Sequence, residues 1–259
     1  MTVRLNVSDG LATITLARAE AHNALDAATK VAFKDAVDGA AGDSTVRAVL
    51  VTAEGRNFCV GQDLGEHVGA LEADPATAMD TVGVHYNPLI RALKELPVPV
   101  VVALPGACVG AGLGIALAGD IRVAGTKSSF ATAFTGIGLA SDSGLSYSLV
   151  ESLGASRAGA LMLLGDKISA EQALAWGLVH RVVADDEVLP SAEKIARRLA
   201  AGPTEAYRQV KGLVRASATG LFDALDREQA AQELLGATAD HKAAVDAFLA
   251  KTEPVFSGR

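Results

Sequence analysis

"PVVVALPGACVGAGLGIALAGDIRVAG", residues Pro99 to Gly125, decides the fold class. Its first six residues, Pro99 to Leu104, are apolar and β-branched without a polar break. A strand exposed on one face would alternate, so this run reads as a strand buried on both faces of a parallel sheet. "GAGLGIALAGD" then supplies a glycine-rich turn and a short helix of small, apolar residues. "DIRVAG" (Asp120 to Gly125) reads as the next strand. Strand, turn, helix, strand is a crossover unit, and its recurrence argues for an α/β architecture.

Working outward, "VRLNVSDGLATITLA" alternates on both sides of Asp9-Gly10 and predicts a β-hairpin. Asp26 is placed to cap a helix that runs through Val37 and ends near Gly39 to Gly42. "RAVLVTA" (Arg47 to Ala53) predicts a short buried strand. "DPATAMDTVGVHYNPLIRALKEL" predicts a helix beginning at Asp74-Pro75, broken at Asn87-Pro88 and ending at Leu96. Beyond about Asp142 the patterns turn helical: "SAEQALAWG", "AEKIARRLAAG", "PTEAYRQVKGLVRAS", "LFDALDREQAAQELL" and "DHKAAVDAFLAK". Residues 1–200 therefore read as a sheet-and-helix core and residues 201–259 as a helical C-terminal region.

The 259 residues suffice for one large domain; 50% are apolar and 20% charged, which excludes a disordered chain. The net charge of -7, without a block of Lys or Arg, argues against nucleic-acid and anionic-membrane partners. No run of about twenty apolar residues is free of polar breaks, and the N-terminus has no apolar leader core. Two cysteines, Cys59 and Cys108, sit in apolar runs and read as reduced thiols. Together these features predict a cytoplasmic protein.

Three features carry chemistry. "RNFCVGQDLGE" (Arg56 to Glu66) places Gly61 after a strand, where backbone N–H groups can turn toward a ligand. An ordinary strand-to-helix turn would look the same. "GACVGAGLGIALAGD" sets a second glycine turn at a helix N-terminus, a place that favours developing negative charge. Gly110, Gly112 and Gly114 fall as G-x-G-x-G, so the dinucleotide fingerprint fails. Tight helix packing also uses such glycines. "TGIGLASDSGLSYS" (Thr135 to Ser148) holds one ionisable group, Asp142, among small and aliphatic neighbours. Asp142 reads either as an N-cap for the helix that follows or as an acid/base in apolar surroundings. His22, His67, His85, His180 and His241 are scattered and show no metal-ligand spacing, so no metal is expected.

Taken together, "HNAL", "FCVGQDL", "YNPLIRAL", "GACVGAGLGIALAGD", "SAEQALAWGLV" and "AVDAFLAKTEPVFSGR" resemble the crotonase superfamily, the enoyl-CoA hydratase/isomerase family, over essentially the whole chain. "FCVGQDL", "YNPLIRAL" and "AF…GLASD" are most similar to its ring-epoxide isomerase branch, which acts on 1,2-epoxyphenylacetyl-CoA. The resemblance implies a crotonase (ClpP-like) spiral of ββα units with a C-terminal helical trimerisation region, assembling as a homotrimer or homohexamer. It implies an acyl-CoA substrate and no separate cofactor, since coenzyme A is part of the substrate. Two backbone N–H groups, of Gln62 and Ala111, would hold the thioester oxygen. Ala21, His22, Val60, Gly61, Gln62, Asp63, Leu64, Gly110 and Ala111 would meet the CoA thioester. Arg18 and Lys251 of a neighbouring subunit would meet its phosphates. Gly114, Phe134 and Leu139 would line the acyl pocket.

The departures from the family pattern carry the functional expectation. Family hydratases hold water between two glutamates, and this chain has Gly114 and Phe134 at those positions. Asp142 matches the acid of the isomerase and dehalogenase branches. The expected activity is double-bond or ring-epoxide isomerisation through a stabilised enolate, with Asp142 as acid/base. The alternatives are an enoyl-CoA hydratase using Asp142 alone, an aryl-CoA dehalogenase-like enzyme with Asp142 as nucleophile, and a non-catalytic acyl-CoA-binding subunit. The dehalogenase pattern wants a tryptophan where Phe134 stands and a base where Asn87 stands; His85 is close but out of register.

Overall fold

The computed structural model describes residues 1–216 and 238–259. Six strands form one sheet in the order β1 (Val3–Ser8), β2 (Leu11–Leu16), β3 (Ala48–Ala53), β4 (Val100–Leu104), β6 (Ile121–Gly125), β9 (Arg181–Val183). All neighbours are parallel except the β1–β2 hairpin. That hairpin pairs Ser8 with Leu11 across Asp9 and Gly10, both at positive φ, the geometry a two-residue loop requires. A second, smaller sheet joins β5 (Ala107–Val109), β7 (Ser129–Ala131) and β8 (Ile168–Ser169). An isolated bridge between Cys59 and Cys108 extends that layer toward the Gly61 turn.

The two layers alternate with helices. β3 leads to the Cys59 bridge and α2 (Leu64–Ala73). β4 leads to β5 and α4 (Ala111–Ala118), and β6 leads to β7 and α5 (Leu145–Leu164). This is the spiral of ββα units. Every residue of β4 is buried, because its two faces serve two cores. Val100, Val102 and Leu104 pack with α1 (Ala27–Gly42), α3 (Asn87–Glu95) and α4. Val101 and Ala103 pack with α7 (Val188–Ala200) through Ala192, Ile195 and Leu199.

Asp26 caps α1 as expected, its carboxylate accepting from Thr29 N–H at 2.8 Å. Three expectations need correction. Asp74-Pro75 does not begin a helix: Asp74 terminates α2, and its side chain accepts from Ala76 N–H at 3.0 Å. Asn87-Pro88 does not break the chain either. A π-helical turn, Val82–Tyr86, runs straight into α3, so Pro88 lies inside a continuous helix beside the wider turn. The β9 strand lies in the part of the sequence that reads as helical.

The C-terminal part returns to the core. α8 (Thr204–Ala216) is fastened by Lys211 Nζ, which donates to Val98 O (3.0 Å) and Asp120 Oδ2 (2.6 Å), and by Arg215 to Leu96 O (2.7 Å). In the first turn of α9 (Ala239–Ala250), Asp240 accepts from the N–H groups of Ser257 (2.6 Å) and Gly258 (2.9 Å), which follow that helix. Arg47 reaches both parts, donating to Thr204 Oγ1 (2.8 Å), Gly202 O (2.6 Å) and Phe256 O (3.5 Å). "LFDALDREQAAQELL" (Leu221 to Leu235) lies outside the described residues. No helix among the described residues is long and apolar enough to cross a membrane.

Candidate active site

A cavity of about 450 Å³ opens where the two glycine turns meet. Gly61 has φ +90°, and a Cβ there would stand 3.1 Å from Val109 O and 3.5 Å from Ala111 N. Gly110 has φ 56° and ψ -126°, a region open only to glycine. These two glycines let the turns approach closely. The N–H groups of Gln62 and Ala111 flank the junction, and neither has a hydrogen-bond acceptor among the described residues. Leu25 explains the first: it bonds Gly61 O and Asp63 N–H and leaves Gln62 N–H free. The helix geometry explains the second, since Ala111 is the first residue of α4 and its N–H lies beyond the intrahelical ladder.

Asp142 belongs to the same cavity wall. It is not a cap: α5 begins after Gly144, which holds the N-cap position in a left-handed conformation without side-chain capping. The Asp142 carboxylate accepts from Ser143 Oγ at 2.8 Å. Burial pushes its pKa above the ordinary carboxylate value, against the Ser143 hydrogen bond and the positive charge of Lys30, which pull it down. The conflict posed by an acid in an apolar segment is thus present in the fold, and no ion pair among the described residues relieves it.

Of the residues expected at the site, Ala21, Val60, Gly61, Gln62, Asp63, Leu64, Gly110, Ala111, Phe134, Leu139 and Asp142 line the cavity. His22 does not; its ring Nδ1 meets Asn57 Nδ2 at 3.2 Å. Gly114 does not line it either. A Cβ on Gly114 would lie 2.5 Å from Ser143 Cβ and 2.6 Å from Ser143 O, so the turn carrying Asp142 occupies the space a side chain at 114 would need. Ser143 is buried and held at φ 52° by this seat. Arg18 is held within the fold through Nη1, which bonds Ala24 O at 3.0 Å and pairs with Asp63 at 2.6 Å and Asp26 at 3.3 Å. Asp63 is accordingly both the N-cap of α2 and half of an ion pair.

A buried polar group behind the Gln62 turn was not foreseen. Lys30 of α1 is 1% exposed, and its ammonium donates to Gln62 Oε1 (3.1 Å), Glu66 Oε1 (2.9 Å) and Thr81 Oγ1 (2.7 Å). Tyr86 OH donates to the same Gln62 Oε1. Burial pushes the Tyr86 phenol pKa up, and the negative charge of Asp142 adds to the shift. Burial would raise Glu66 as well, but the hydrogen bonds from Lys30 and Ala27 N–H hold it below the ordinary value. The signal available in sequence was weak: a lysine four residues after the helix cap looks like any surface lysine.

The mouth is apolar, with Leu64, Met79 and Ile137 exposed at its edge. The arrangement offers two backbone donors for a carbonyl oxygen, one acid of raised pKa, and apolar walls that suit a carbon chain or ring.

The enoyl-CoA hydratase/isomerase family model matches residues 6–259. The chain is 38% identical to the 1,2-epoxyphenylacetyl-CoA isomerase of Escherichia coli over 98% of this chain and 97% of that protein. It is 40% identical to a Rhodobacter capsulatus protein provisionally named enoyl-CoA hydratase, over 100% and 98% of the two chains. A crystal structure from Mycobacterium abscessus, provisionally named enoyl-CoA hydratase/isomerase, superposes with a TM-score of 0.98 at 57% identity, covering 99% of this chain and all of the other. The chain belongs to the enoyl-CoA hydratase/isomerase family, in the crotonase superfamily.

Proposed function

We propose that the protein isomerises an acyl-CoA thioester, moving a double bond or rearranging a ring epoxide. The observation that carries this reading is the seat of Ser143 against Gly114. A water-holding carboxylate at 114 has no room, and the same turn presents Asp142 instead. In the proposed mechanism the thioester oxygen accepts from Gln62 N–H and Ala111 N–H. Electron density from a breaking Cα–H or Cγ–H bond then flows to that oxygen and forms an enolate. Donors of this kind contribute roughly 3–4 kcal/mol each when aimed at the developing charge. Asp142, ionised, receives the proton and returns it to another carbon, leaving the enzyme unchanged. Phe134 stands where a second carboxylate would be needed and presents an aromatic wall that excludes water.

The curated relatives carry the names isomerase, hydratase and, at 32% identity over 80% of this chain, 4-chlorobenzoyl coenzyme A dehalogenase. A nucleophilic, dehalogenase-like role wants a base at Asn87; His85, two positions away in the sequence, is engaged with Thr81 Oγ1 at 3.1 Å and is absent from the cavity wall. The expected result of a panel of CoA thioesters is isomerisation at least about a hundredfold faster than crotonyl-CoA hydration. Asp142→Asn should lower isomerisation by about the same factor with little change in CoA-thioester affinity, since the carboxylate acts on the transition state. Faster hydration than isomerisation, or a fully active Asp142→Asn variant, would overturn the reading; full activity without Asp142 would leave that carboxylate no part in catalysis.

The reading includes assembly. Residues 201–259 would build a homotrimer or a dimer of trimers, supported by Val210 and Val214, which leave α8 with apolar side chains more than half exposed.

A further inference from the structure

Lys30 presents a puzzle of its own. An ammonium group taken out of water is costly, and a buried ion pair is weak evidence for stability, because apolar replacements often serve equally well. Yet Lys30 is 1% exposed, on the first turns of α1, with all three of its donors used. Of the three acceptors, Gln62 belongs to the turn that follows Gly61 and Glu66 to the first turn of α2. The Gln62 carboxamide is fixed at both ends: its oxygen accepts from Lys30 and Tyr86, and its nitrogen donates to Glu66 Oε1 at 3.0 Å. Glu66 in turn accepts from Ala27 N–H at the start of α1. The ammonium also stands 5.3 Å from the centre of the Tyr86 ring, whose other neighbours include the cavity. One charge therefore ties α1, the Gly61 turn, α2 and the π-helical turn together behind the free Gln62 N–H.

We propose that Lys30 is a positioning residue: by clamping the Gln62 side chain it keeps the Gln62 N–H aimed at the thioester oxygen. The inference rests on the oxyanion reading given under the proposed function. Without the clamp the carboxamide is free to rotate, and the peptide that carries Gln62 N–H is left to the Leu25 N–H···Gly61 O bond at 2.8 Å. A donor aimed in advance is what makes such a site effective, and a small misdirection forfeits much of its effect.

The test is difference infrared spectroscopy of crotonyl-CoA carrying ¹³C in its carbonyl, free and bound to the intact protein. In the wild type the carbonyl band should move to lower frequency on binding. In Lys30→Met and in Gln62→Met the band should return at least half-way to its free position, with crotonyl-CoA affinity kept within about tenfold, the scale of one hydrogen bond. The double variant should be no worse than either single one, because both remove the same contact. Gln62→Met keeps the Lys30–Glu66 pair, so it carries the test even if Lys30→Met does not fold. A wild-type shift that persists undiminished in Gln62→Met would overturn the positioning role and leave Lys30 as a structural ion pair. A wild-type band that does not move on binding would overturn the oxyanion reading itself, and the positioning role with it.

Discussion

Asp142 is held in a position that suits proton transfer and not stability. A carboxyl whose folded pKa is raised binds its proton more tightly in the folded state than in the unfolded one. Its contribution to stability is complete below the unfolded value, near about 4, and is lost as pH rises through the raised folded value. At pH 7 the ionised Asp142 is therefore a net cost. Asparagine keeps the acceptor for Ser143 Oγ and carries no charge. Asp142→Asn should raise the melting temperature at pH 7 by roughly 2–4 °C, and the gain should vanish near about pH 3. Scanning calorimetry of both proteins at the two pH values checks this. An equal gain at both would assign the effect to packing and not to charge. The same sign predicts the activity profile. As the receiver of a proton Asp142 must be ionised, so turnover should fall as pH drops through its raised pKa.

Among the elements, the contact of α4 with the turn before α5 leaves no room for a side chain. Gly114→Ala puts a methyl 2.5 Å from Ser143 Cβ and 2.6 Å from the backbone Ser143 O, in a buried contact. It should destabilise the protein by about 1–3 kcal/mol or more, as overpacked cores do, measurable by urea unfolding. Gly69→Ala on α2 meets nothing within 4 Å and should stabilise the protein by roughly 0.5–1 kcal/mol, the difference in helix preference. Elements fixed by their own residues were legible in the sequence: β4 through its unbroken apolar run, the hairpin through Asp9-Gly10, α1 through Asp26. The Gly61 and Gly110 turns were legible for the same reason, since their backbone angles admit only glycine. What sequence did not show is set by distant partners. Lys30 meets Glu66 from 36 positions away, and the π-helical turn at Val82–Tyr86 takes its shape among α1 and α3. Asp74 is as good a helix start as it is a helix end, and only the position of α2 decides. Gly114 could be recognised as a missing carboxylate, but that Ser143 fills the place required the fold.

For the whole molecule, the proposed assembly makes the plainest prediction. Sedimentation at micromolar concentration should give a trimer or a dimer of trimers, and removal of residues 201–259 should abolish it. A monomer at that concentration would contradict the proposal. The Ser143 seat against Gly114 also bears on how such a protein can change over generations. A glutamate at 114 cannot arrive first, because the backbone of residue 143 already stands there. The turn from Ser141 to Gly144 would have to be rebuilt beforehand, and until the carboxylate arrived such an intermediate would carry neither the Asp142 arrangement nor a pair of glutamates. Descent from this sequence toward a two-glutamate site therefore crosses a chain that is poor at both chemistries. Single substitutions will instead diversify the acyl pocket around Phe134, Ile137 and Leu139, where side chains meet space and not backbone.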